Sequence, residues 1–160
     1  MKPMYARSTR TVTLDEVPDR MRAELAAEAQ RKQLTIADDA RLWLTHSVNL
    51  PAKSTFGRAL GRRANPADPD AEHDVLVALL AKYLVIVIAG DERGTAALSL
   101  PLLEASVSPG PHIAPANDNG FAITGFPGDN NAPGTFFVGL GPDDAGCYEA
   151  VRQAIAAAKA

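Results

Sequence analysis

Cysteine is nearly absent. Cys147 is the only one in 160 residues, so neither an intrachain disulfide nor a cysteine-built zinc site is open to one chain. Aromatic residues make up 6%, with a single tryptophan, which leaves few platforms for stacked bases. Long apolar runs are also missing: the densest, Val75 to Ala89, is interrupted by Lys82, well short of the ~20 residues that cross a bilayer. Lys2, Arg7 and Arg10 are not followed by an apolar segment of the secretory kind. Together these absences predict a cytoplasmic protein in a reducing compartment, with no transmembrane span.

The catalytic signatures are missing as well. No Gly-x-Ser-x-Gly elbow occurs, and the one adjacent Ser–His pair, His46 and Ser47, points to opposite faces if it lies on a strand. Gly139-Leu140-Gly141 with Gly146 misses the dinucleotide-binding spacing by two positions, and Asp143 and Asp144 there would repel a phosphate. His46, His73 and His112 share none of the short spacings that place two metal ligands on one helix face or hairpin. Glu72-His73-Asp74 lacks a third fixed ligand. The pairs Asp38/Asp39, Asp91/Glu92 and Asp143/Asp144 sit at turns or at a helix start, where carboxylates cap amides. The sequence therefore predicts no catalytic residue, no cofactor and no metal site.

What is present suits one folded domain: 46% apolar and 22% charged residues. The net charge of −3 hides a polarity, with residues 1–63 at +5 and residues 64–160 at −8. Such a division marks either an anionic partner for the first half or two surfaces that neutralise each other.

Residues 1–14 read as a flexible basic arm or an edge strand, followed by one domain over residues 15–160. Thr13 and Glu16 have capping-box spacing and Pro18 suits a first turn, which predicts a helix over 15–33 with Val17, Met21, Leu25 and Ala29 as its apolar stripe. Alternation over Ala40–Val48 predicts a strand, with Leu42, Leu44 and His46 on one face and Trp43, Thr45 and Ser47 on the other. Residues 49–74 read as one long connection. Its first part carries Lys53, Arg58, Arg62 and Arg63 without an acid, and its second is rich in proline and aspartate.

Turn signals then predict strands at Val75–Leu80, Tyr83–Ala89, Thr95–Leu100, Leu103–Ser108, Gly120–Phe126 and Thr135–Leu140, as one contiguous antiparallel meander. An irregular loop over 109–119 interrupts them. A last helix from Pro142 would lay Tyr148, Val151 and Ile155 on that sheet. Met1–Arg10 and Ala64–Asp70 lack apolar anchors and are expected to be the most mobile backbone.

This order makes an α+β protein: one N-terminal helix, then seven strands, then a capping helix. Over residues 40–158 it resembles the pleckstrin-homology-like fold, through the element order, the Tyr83–Ala89 strand with its Gly90–Gly94 turn, and the step from Phe136-Phe137-Val138-Gly139-Leu140-Gly141 into the last helix. The resemblance implies a seven-stranded antiparallel bent barrel closed by the C-terminal helix. It also implies a scaffold that binds lipid headgroups, peptides or proteins. The whole chain further resembles bacterial proteins with similar Trp43–Ser47 and Gly139–Pro142 segments, which implies no particular activity.

The leading expectation is a non-catalytic binding or adaptor module for a protein or peptide. Trp43 and the Val17, Met21 and Leu25 stripe are its candidate contacts. The alternatives are a peripheral binder of anionic lipid through Lys53, Arg58, Arg62 and Arg63, and an enzyme of unrecognised type. A sequence pI near 5.6 and a basic run with Phe56 as its lone aromatic argue against nucleic acid. Oligomeric state is left open.

Overall fold

A computed structural model describes residues 4–110, 119–128 and 132–160. Eight strands and three α-helices run in the order β1 (Tyr5–Val12), α1 (Asp19–Lys32), β2 (Arg41–Asn49), α2 (Thr55–Ala59), β3 (Glu72–Leu79), β4 (Tyr83–Gly90), β5 (Gly94–Pro101), β6 (Ser106–Pro109), β7 (Gly120–Pro127), β8 (Pro133–Gly139) and α3 (Cys147–Lys159). All neighbouring strands are antiparallel, and the chain is α+β as its pattern indicates.

The strands form two sheets, β1-β2-β3-β4-β5 and β6-β7-β8, and no barrel closes among the described residues. One contiguous meander over 75–140 is therefore corrected. The break lies at Pro101, after which Leu102–Glu104 form a 3-10 turn where a strand was expected to begin. Proline brings no N–H to a ladder. Leu102 and Ala105 instead turn inward and are buried, which carries the chain across to the second sheet.

Period-two alternation gives the five-stranded sheet two apolar faces. Leu42, Leu44, Leu76, Ala78, Val85 and Val87 meet Met21 and Leu25 of α1 on one side. Trp43, Val75, Val77, Leu84 and Ile86 meet Phe121, Ile123 and Val138 of the second sheet, with Val151 and Ile155 of α3, on the other. Covering on both faces is why β3 and β4 read as unbroken apolar runs.

The predicted arm is a strand along most of its length: Tyr5 to Val12 pairs with Asn49 to Leu42. The Thr13/Glu16 capping box is formed, but it closes a short 3-10 turn at Leu14–Glu16, and α1 starts behind Pro18. The last helix begins five residues after Pro142. Ala145 (φ 52°) and Gly146 (φ 78°) are left-handed, while Asp143 and Asp144 accept from the backbone N–H groups of Ala145, Gly146 and Tyr148. Most of the 109–119 loop lies outside the described residues.

Candidate functional site

The connection from β2 to β3 is built, not loose. Asn49 is fully buried; its side chain donates to Asn65 O at 2.8 Å and accepts from Asn65 N at 3.0 Å, pinning the far end of the excursion to the sheet. Ala52 N donates to Arg62 O, Ala64 N to Leu50 O, and Pro51 bridges Arg63, so residues 51–63 fold back as a hairpin. Its tip is α2, whose first turn is capped by Ser54 Oγ accepting from Gly57 N at 3.0 Å.

All four predicted cations lie on this hairpin and are exposed. Arg63 Nη1 donates to Asn49 O at 3.0 Å, a part-buried bond that ties the hairpin to β2, whereas Arg58 Nε makes an exposed bond to Ala52 O at 3.1 Å; neither bond neutralises charge. Among the described residues no carboxylate pairs with Lys53, Arg58, Arg62 or Arg63. Beside them stand two apolar side chains that sequence reasoning did not select. Phe56 is 72% exposed and Leu60 55% exposed, one helical turn apart and so on the same side.

The acids that follow the basic run could have cancelled it, but they are committed elsewhere. Asp70 accepts from Glu92 N at 2.7 Å and from Arg93 Nε at 2.6 Å. Asp68 accepts from Tyr5 Oη at 2.6 Å, from Asp70 N at 2.9 Å and from the Arg93 guanidinium. Asp74 meets His46 at 2.8 Å. Burial pushes the Asp68 carboxyl up, but Tyr5, the Asp70 amide and Arg93 together outweigh it and hold the group below its ordinary value. The bond from Glu92 N, aided by Arg93, does the same for Asp70. Gly90 permits this, because a side chain there would collide with the Asp70 carboxylate.

The same network walls a cavity of about 480 Å³ at the hairpin's root. Arg7, Ser47, His73 and Gly90 form one cross-strand row over β1 to β4. Arg7 Nη1 donates to Ser47 Oγ at 2.7 Å, and its guanidinium lies 4.3 Å above the Tyr5 ring. His73 is 7% exposed. Its Nδ1 is sealed from solvent and makes no hydrogen bond, standing 3.6 Å from Asp68 Oδ2, beyond bonding range. Burial, then the Arg93 charge, push the imidazole below its ordinary pKa despite Asp68.

None of these cavity residues was selected from sequence. The available signal was the polar Thr45, Ser47, Asn49 series continuing the face that begins with Trp43, and His73 at i, i+2 from Val75.

The partner contacts that the sequence predicts lie inside the protein. Trp43, Val17, Met21 and Leu25 are at most 2% exposed, and Trp43 Nε1 donates to Ala145 O at 3.1 Å. Each is spent on the two cores and offers no surface to a partner. Among the described residues no His, Cys, Asp and Glu cluster could hold a metal ion, and no helix is long and apolar enough to cross a membrane. His112 lies outside the described residues. Comparison with family models, curated proteins and solved structures finds no match, so the site is read from its own chemistry.

Proposed function

We propose that this protein is a non-catalytic binding module that docks on an anionic lipid surface through the 51–63 hairpin. The observation that carries it is the pairing of Phe56 and Leu60, exposed on one side of α2, with Lys53, Arg58 and Arg62 in an acid-free stretch. Apolar side chains ringed by cations suit the boundary between headgroups and acyl chains. Each cation near an anionic leaflet contributes about 1 kcal/mol, and each apolar side chain at most about 1.5–3 kcal/mol when fully buried. The commitment of Asp68 and Asp70 to Arg93 leaves that charge uncancelled. A pleckstrin-homology-like scaffold, proposed here for two antiparallel sheets followed by a helix and without a closed barrel, would agree with a binding role, although fold alone does not assign function.

Co-sedimentation with phosphatidylserine vesicles, against phosphatidylcholine vesicles, is the test. Binding should need the anionic lipid and weaken with salt, since exposed charges are screened within ~8 Å at physiological ionic strength. The K53A/R58A/R62A variant should lose the preference for anionic lipid. F56S/L60S should keep the attraction at low salt and lose the part that resists high salt. Arg63 is left in place because it anchors the hairpin to Asn49. Equal binding of the native protein and both variants would overturn the reading. An acidic peptide binding through Lys53, Arg58 and Arg62, with no vesicle binding, would return it to a peptide partner.

A further inference from the structure

We infer that the cavity at the hairpin's root is a second, separate binding site, for a small uncharged ring compound that donates one hydrogen bond to His73. Its size, about 480 Å³, falls in the range of small-molecule sites. Val75, Ile88 and Phe136 give it apolar wall, and Tyr5 adds an aromatic edge whose hydroxyl is already engaged by Asp68 and Asn65.

Charge selects against ions. Among the described residues two guanidinium groups, Arg7 and Arg93, stand with two carboxylates, Asp68 in the wall and Asp70 paired with Arg93, so the charges at the site are equal in number. The two carboxylates already hold donors: Arg93 and the Glu92 N–H on Asp70, and Tyr5, Arg93 and the Asp70 N–H on Asp68, which leaves Asp68 Oδ2 one lone pair on the side of His73. What remains is His73. The negative field of Asp68, 3.6 Å from Nδ1, favours the tautomer with its proton on Nδ1. Nε2 is then a lone-pair acceptor, and it is the ring nitrogen that can face the cavity, Nδ1 being sealed. A ligand hydroxyl or N–H donating to Nε2 makes Nδ1–H a stronger donor, and the long approach to Asp68 closes into a hydrogen bond. A ligand donor therefore satisfies both nitrogens, which a purely apolar ligand does not.

This does not rest on the lipid-docking reading, since no residue of the 51–63 hairpin contributes to it.

The experiment titrates the full chain, ¹⁵N-labelled, with phenol, toluene, benzoate and benzylamine, following the histidine ring nitrogens. H46Q and H112Q variants assign the remaining signals to His73. Phenol should shift His73 Nε2 and bind about fivefold tighter than toluene, the worth of one net hydrogen bond, and benzoate and benzylamine should bind more weakly than phenol. H73F should bind phenol and toluene alike. A67W, which adds bulk at an exposed position of the lining and leaves His73 in place, should block all four; it keeps the test decisive if H73F fails to fold. No His73 shift with phenol, equal binding of phenol and toluene to the native protein, or tightest binding of a charged probe would each overturn the inference. K53A/R58A/R62A should leave phenol binding unchanged, so failure at one site is distinguishable from failure at the other.

Discussion

His73 is the residue whose ionisation the fold opposes, and that opposition sets a pH dependence with a definite sign. The unfolded chain takes up a proton near the ordinary imidazole value, about 6.5, whereas burial and Arg93 delay uptake in the folded chain to lower pH. Between those two values the unfolded state binds more protons, so stability falls as pH falls, by at most about 1.4 kcal/mol per pH unit. Asp68 acts at lower pH: the stability from its depressed carboxyl is present above the ordinary carboxylate value, about 3.9, and is lost as pH drops through the folded one. Urea unfolding of the native protein should thus weaken in two stages on acidification. H73F should remove the first and keep the second. A first stage unchanged in H73F would overturn its assignment to His73.

At the scale of elements, local chemistry decided more than periodicity did. The α3 boundary is the clearest case: Pro142 with two following aspartates predicts a helix start, yet the aspartates accept from local amides in a turn, and two left-handed residues delay the helix to Cys147. Ala145 at φ 52° carries a strain that glycine would not, so A145G should stabilise by about 0.5–1 kcal/mol. G146A should destabilise by about 1–2 kcal/mol, having open space for its methyl but the wrong backbone for it. Opposite signs at adjacent positions in chemical denaturation would establish the cap; equal signs would refute it.

Strands, α1 and the two-faced alternation of β2 were legible because each repeats a signal over many residues. The cavity was not, because Tyr5, Asp68, His73 and Arg93 come from four separate segments. Ala64–Asp70 lacks apolar anchors, and Asn49, Tyr5 and Arg93 meet it by hydrogen bonds instead. Polar Ser47, Asn49 and His73 mark the face in the alternation, but hydropathy does not name their partners.

On the scale of the molecule, the five-stranded sheet is a wall shared by two cores. Leu76 and Val85 face α1 while their chain neighbours Val77 and Ile86 face the second sheet, so neither layer can dissolve without exposing backbone that the other needs. The two layers should therefore unfold together. M21A empties a fully buried position on the α1 side and should cost about 2–5 kcal/mol. Trp43, the single tryptophan, lies in the opposite core and reports that side alone. Tryptophan fluorescence and far-ultraviolet circular dichroism should trace one coincident urea transition in the native protein, and a coincident transition at lower urea in M21A. If instead the helical signal of M21A is lost first while Trp43 stays native, α1 is a separable layer. The N-terminal helix would then be an appendage to a core of two sheets and α3, and the shared-wall account would fail.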